Sequence, residues 1–178
     1  GRITPALVES GTLDDFFAIH ARLARRLLTD SAVTFEQMEG RHPPIAAFEQ
    51  YVKGILAENP ATRLSFLREA VRLAPDYQPS RLAMWTAFTD QVEHQQALDV
   101  VRQVPATAPE SRRARFLAGL SLLSLGRNAD AIAAFADLNR EQMDPALFNN
   151  MGVAQLRRTA TTQSGSPADS YFRRAAEL

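Results

Sequence analysis

Between residues 112 and 138 the chain reads RRARFLAGLSLLSLGRNADAIAAFADL, and its apolar positions recur every three to four residues on both sides of one glycine. Phe116, Gly119, Leu120, Leu122 and Leu123 lie on one stripe, and Ala131, Phe135 and Leu138 on another. Gly126 separates them. That spacing predicts two amphipathic helices joined by a tight turn, with a small residue in each that lets the backbones approach. Weaker copies flank this unit. Ile45, Phe48, Val52, Ile55 and Leu56 mark a helix over 44–57, and Leu64, Leu67, Ala70, Val71 and Leu73 its neighbour. Leu82, Met84, Trp85 and Phe88 mark a helix over 80–90; Ala97, Leu98, Val101 and Val104 mark one over 95–104. Two more follow, over 145–158 and 167–178.

The helix ends carry their own signals. Asn59-Pro60 and Asp144-Pro145 each supply a side-chain cap followed by a residue preset for the first helical turn. Ser166-Pro167, with Asp169 after them, do the same for the last helix. Upstream, Gly11 and Thr12 break and cap a helix over 13–28, with Asp14 and Asp15 in its first turn and Arg25 and Arg26 in its last. His20 falls on the apolar stripe of that helix and is expected to be partly buried with a local partner. Residues 1–11 are an extended lead-in or a short strand. Residues 29–43 form a connector containing Gly40 and Pro43, and 159–166 are polar and unpatterned. Nine helices are expected, with no convincing internal strand.

Fixed-period self-similarity is the sequence mark of a stacked repeat. Ala97 and Ala131 stand 34 residues apart, as do Val101 and Phe135, Leu67 and Val101, Trp85 and Gly119, and Pro75 and Pro109. The last copy keeps the order after one extra residue before Gly152 and a longer turn before Ala168. Residues 44–178 therefore read as four helix pairs, at about 44–77, 78–111, 112–144 and 145–178. Residues 1–43 form a separate leading part.

This pattern resembles the tetratricopeptide repeat family, on Gly119, Ala131 and Phe135 in the third copy and Asn150, Met151, Gly152, Ala168, Phe172 and Ala175 in the fourth. The second copy keeps Ala97 and Pro109, and the first Leu67, Ala70 and Pro75. Tyr51 and Trp85 depart from it, standing where a small residue is expected. The resemblance implies an all-α fold, an α-α superhelix or right-handed solenoid of antiparallel helix pairs, here with one extra N-terminal helix. It also implies a protein-interaction scaffold whose concave groove takes a peptide or a partner helix. By the same resemblance the groove positions are Arg113, Phe116, Leu117, Leu120 and Leu123 in the third copy and Ala146, Asn149, Asn150, Val153, Leu156 and Arg157 in the fourth. In the second they include Leu82, Thr86 and Thr89. Asn150 would hydrogen-bond a bound backbone, and Arg113 and Arg157 would meet acidic groups. Residues 1–30 resemble the end of curli-secretion-like or Tol-B-like domains that precede such repeats in bacterial envelope proteins. That likeness favours the periplasm or envelope and an upstream α/β domain.

Composition narrows the chemistry. Lys+Arg and Asp+Glu both number 20, which gives no overall basic field for nucleic acid. No apolar run approaches the length of a membrane span. There is no cysteine, so disulfides and thiolate metal sites are excluded. His20, His42 and His94 fall in separate elements, and no phosphate-binding glycine loop or nucleophile elbow is present. The sequence therefore predicts no catalytic residues, no metal and no cofactor. Gly1 and the unfinished last helix read as the edges of an excised piece of a longer protein. The alternative to a groove ligand is a spacer or self-associating module, a homodimer formed through the C-terminal end of the stack.

Overall fold

The computed structural model describes residues 7–27, 42–159 and 168–178. Among these the chain is all helix and loop. A 3-10 turn (Leu13–Asp15) leads into α1 (Phe16–Leu27), and eight helices follow. They are α2 (Ile45–Leu56), α3 (Pro60–Leu73), α4 (Pro79–Asp90), α5 (His94–Arg102), α6 (Ser111–Ser124), α7 (Asn128–Glu141), α8 (Pro145–Thr159) and α9 (Ala168–Ala176). The connector expected over 29–43 lies almost wholly outside the described residues. So do the polar stretch beyond Thr159 and the restart at Ser166 and Pro167.

From α2 onward each helix packs on the next, and α4 also touches α6, so the first helices of the second and third pairs stand side by side. The core is shared between pairs. Leu67, Phe88, Ala97 and Val101 form one cluster that reaches Ala114 of α6. Leu98 of α5 joins Leu122, Ala131, Phe135, Leu147 and Met151 in the other. No pair closes its own core, which is why the helices must stack.

The close approaches fall where small residues stand. A Cβ on Gly119 would lie 2.4 Å from Phe135 Cε1, and one on Gly152 would lie 2.6 Å from Phe172 Cε1. In the first pair the small residue is Gly54, one helical turn later than Tyr51, with Leu67 Cδ2 at 2.7 Å from a Cβ there. The two large residues at the small-residue position reach outward, Trp85 to the next repeat and Tyr51 to the end of its own. Trp85 Nε1 donates to Ser121 Oγ at 2.8 Å, and Tyr51 meets Tyr77 edge-on at 5.4 Å.

Caps hold the ends. Asn59 Oδ1 accepts from the Thr62 amide at 3.1 Å, and Asp144 Oδ1 from the Ala146 amide at 2.8 Å. Asp15 Oδ2 accepts from both the amide and the hydroxyl of Thr12, at 3.0 and 2.9 Å. These bonds hold the Asp15 carboxyl below the usual carboxylate range.

Gly126 takes φ 73°, with Arg127 N–H on the Leu122 carbonyl and Gly126 N–H on Leu123. This is the left-handed helix stop that glycine suits. The same stop ends α4, where Glu93 N–H bonds the Phe88 carbonyl and Val92 N–H bonds Thr89. There the left-handed residue is Val92, at φ 61° and 73% exposed. A β-branched residue in this region costs roughly 1–2 kcal/mol, and an exposed one returns little by packing. Val92→Gly is therefore expected to raise stability by about 0.5–1 kcal/mol, part of the gain being offset by glycine's greater freedom in the unfolded chain. Urea denaturation checks it, and an unchanged or lower midpoint would contradict it.

One expectation fails outright. His20 is exposed. The covered face of α1 runs through Phe17 and Ala21 to Ala24, so the edge formed by Leu13, Phe16 and His20 is left at the surface.

Candidate functional site

The groove candidates stand on α6 and α8, the first helices of the third and fourth pairs. Residues 113, 116 and 120 share one face of α6 by their spacing of three and four, and 149, 153 and 157 one face of α8 by their spacing of four, with 150 beside them. Arg113, Asn149 and Arg157 are exposed, while Phe116, Leu120, Asn150 and Val153 are half-buried. Each helix thus offers a charged or amide rim beside a partly covered apolar strip.

Hydrogen bonds to neighbouring helices fix the two helices. Arg157 Nη1 donates to the Leu123 carbonyl at 3.0 Å, which ties the end of α8 to the end of α6. Part of this guanidinium is thereby committed to the scaffold. Arg112 donates to the Leu138 and Gln142 carbonyls at 2.9 and 3.0 Å, satisfying the open end of α7. Arg115 grips Glu141 through both carboxylate oxygens. That bond holds the Glu141 carboxyl below the usual carboxylate range, so the clamp is intact at neutral pH and is lost as pH falls through the depressed value. Of the basic run at 112–115, only Arg113 is exposed without a carboxylate or carbonyl among the described residues.

Asn150 Nδ2 donates to the Ala146 carbonyl at 2.9 Å, one turn back on its own helix. Its carbonyl oxygen remains an acceptor and its second N–H a donor, so the amide can still bond a ligand. The rest of the expected set divides. Leu82 and Leu123 are buried in the two core clusters, so they are structural. They face inward because groove and core positions interleave on one helix. The Thr89 hydroxyl turns back to the Trp85 carbonyl at 2.8 Å, whereas Thr86, Ala146 and Leu156 are exposed. Leu117 is half-buried against the first cluster.

The same register picks out a strip the sequence reading passed over. Two repeats before Arg113, Phe116 and Leu120 stand Ile45, Phe48 and Val52 of α2. They line an apolar cleft with Leu13 and Phe16. The repeat offset was the signal that pointed to them.

Among the described residues no three His, Asp or Glu side chains gather as a metal ion would require. No described helix is long and apolar enough to cross a membrane.

No protein-family model matches the chain, and no curated protein matches it. Among solved structures, the fold is similar to that of MamA 41-end from Desulfovibrio magneticus RS-1, at a TM-score of 0.65 and 18% identity. The match covers 94% of this chain and 96% of that one. At this identity the likeness concerns the fold, which in this chain is an all-α, tetratricopeptide-like stack of antiparallel helix pairs.

Proposed function

We propose that the chain is a protein-interaction scaffold that binds a peptide or partner helix along the inner faces of its first helices. The observation that carries this reading is the α6–α8 face, where exposed Arg113 and Asn149 flank half-buried Phe116, Leu120 and Val153. A solenoid presents such a face as an extended concave surface. Apolar strips with an amide and a cation beside them suit a chain that carries both backbone polar groups and acidic side chains. Asn150→Ala is expected to weaken binding of the ligand while leaving the thermal midpoint nearly unchanged, because among the described residues its bond is to its own helix. Titration calorimetry against the bound segment checks this; equal affinity for variant and parent would remove Asn150 from the site.

A second reading, self-association through the last helix pair, is favoured by the exposed side chain of Leu156, 45% accessible. Solution mass against concentration decides between them. A monomer at high concentration excludes self-association.

A further inference from the structure

The inner face of the first pair already has an occupant. Phe17 of α1 meets the Phe48 ring edge-on at 5.1 Å and stacks on His42 at 4.4 Å. Phe16 stacks obliquely on Phe48, the ring planes 26° apart and the centroids 6.2 Å. The contact continues through Tyr51 to Tyr77, at 6.2 and 5.4 Å, so an aromatic run joins α1 to the core of the repeats. Phe48 holds the register that Phe116 holds two pairs later, with Ile45 and Val52 matching Arg113 and Leu120. Helix α1 therefore lies on the groove strip of repeat one. It does not sit where a preceding repeat would. The positions by which α6 meets the pair before it, Ala114 and Ala118, correspond in α2 to Ala46 and Gln50, and neither of these is buried.

The seat is incomplete. Phe16 keeps 45% of its surface exposed and Leu13 70%, and an apolar cleft of about 360 Å³ stays open beside them. Its wall is Ile45, Phe48 and Val52, and its rim is the Glu49–Lys53 ion pair. Among α1's described side chains only Ala21 is buried. Meanwhile α1 carries contacts of its own. Glu9 accepts from Arg22 and Arg26 at 3.0 and 2.9 Å, and Asp15 caps the start. A preformed amphipathic helix held by so few buried groups leaves its seat at little cost.

We propose that the inner face of repeat one is a docking site for an amphipathic helix bearing adjacent aromatic residues, and that α1 holds this site in cis until a partner helix of the same pattern displaces it. The proposal rests on the groove reading above and narrows it at this end of the stack to a helical ligand. A partner then meets a site whose apparent affinity is lowered by the fraction of chains in which α1 is seated.

The test uses the full chain and a fluorescein-labelled peptide of residues 11–27, read by fluorescence anisotropy. The parent should bind the peptide weakly, because the tethered copy competes at a high effective concentration. A chain carrying Phe16→Asp and Phe17→Asp should bind it about ten-fold tighter or more. Adding Phe48→Asp to that chain should abolish the gain. Val52→Asp serves in its place if circular dichroism shows lost helix. Equal binding by parent and double variant, or no binding by the double variant, would overturn the proposal. Neither result touches Asn150 or α8, so the groove reading there would stand or fall separately.

Discussion

Phe135→Ala is expected to remove about 3–5 kcal/mol of stability, the largest single-residue effect in the molecule. The ring is fully buried, touches Gly119 and lies 5.8 Å from Phe116. It fills the space between α6 and α7 within the cluster that also receives Leu98 from α5 and Leu147 and Met151 from α8. Truncation forfeits the transfer energy of the ring and leaves a cavity among the helices that build this cluster. Those helices cannot collapse into it without breaking the register of their neighbours. Domain stabilities are about 5–15 kcal/mol, so the loss is a large share of the total. Calorimetry should show a thermal midpoint lower by roughly 6–20 °C, and urea denaturation the same loss of free energy. A loss below about 1 kcal/mol would mean that this ring is not the keystone of the stack.

Gly119→Val is expected to cost about 2–3 kcal/mol by the opposite route, overpacking. A Cβ there would stand 2.4 and 2.7 Å from two carbons of the Phe135 ring, and the ring is boxed in. Gly119→Ala divides the two terms. It gains up to about 1 kcal/mol of helix propensity and loses more to the clash, so a net loss of about 1 kcal/mol is expected. Combining Gly119→Ala with Phe135→Leu should be markedly less costly than the sum of the two changes, since the smaller side chain vacates the contested space. Additive losses would show that the two residues do not compete for it.

The helices were legible because their signals are local. Caps such as Asn59 and Asp144 and the stop at Gly126 depend on a few adjacent residues, and the structure places each bond as the spacing predicts. The 34-residue offset carried the pairing of Gly119 with Phe135. What was not legible depends on partners distant in sequence or on a shift within the repeat. Gly54 does in the first pair what Gly119 does in the third, but one turn later, so the offset pointed to Tyr51. Val92 holds a glycine's conformation, and nothing in a valine announces that; only its register with Gly126 does. Arg112 and Arg157 read as surface cations, yet each binds a carbonyl in another helix. His20 shares the period of its helix but lies just beyond the covered face. In the candidate site, the family resemblance supplied the groove positions, but it could not separate Leu82 and Leu123, which are core, from Val153 and Phe116, which keep open surface.

Site-specific photo-crosslinking tests the scaffold reading most directly. A benzophenone side chain is placed at Asn149, at Val153 or at Ala133, an exposed position of the second helix α7. The chain is then irradiated in its source cells and its adducts are identified by mass spectrometry. The scaffold reading predicts the same partner joined at Asn149 and Val153 and absent at Ala133, with the adduct lost when Asn150→Ala is added. The same partner joined at Ala133 alone, or equally at all three, would contradict it.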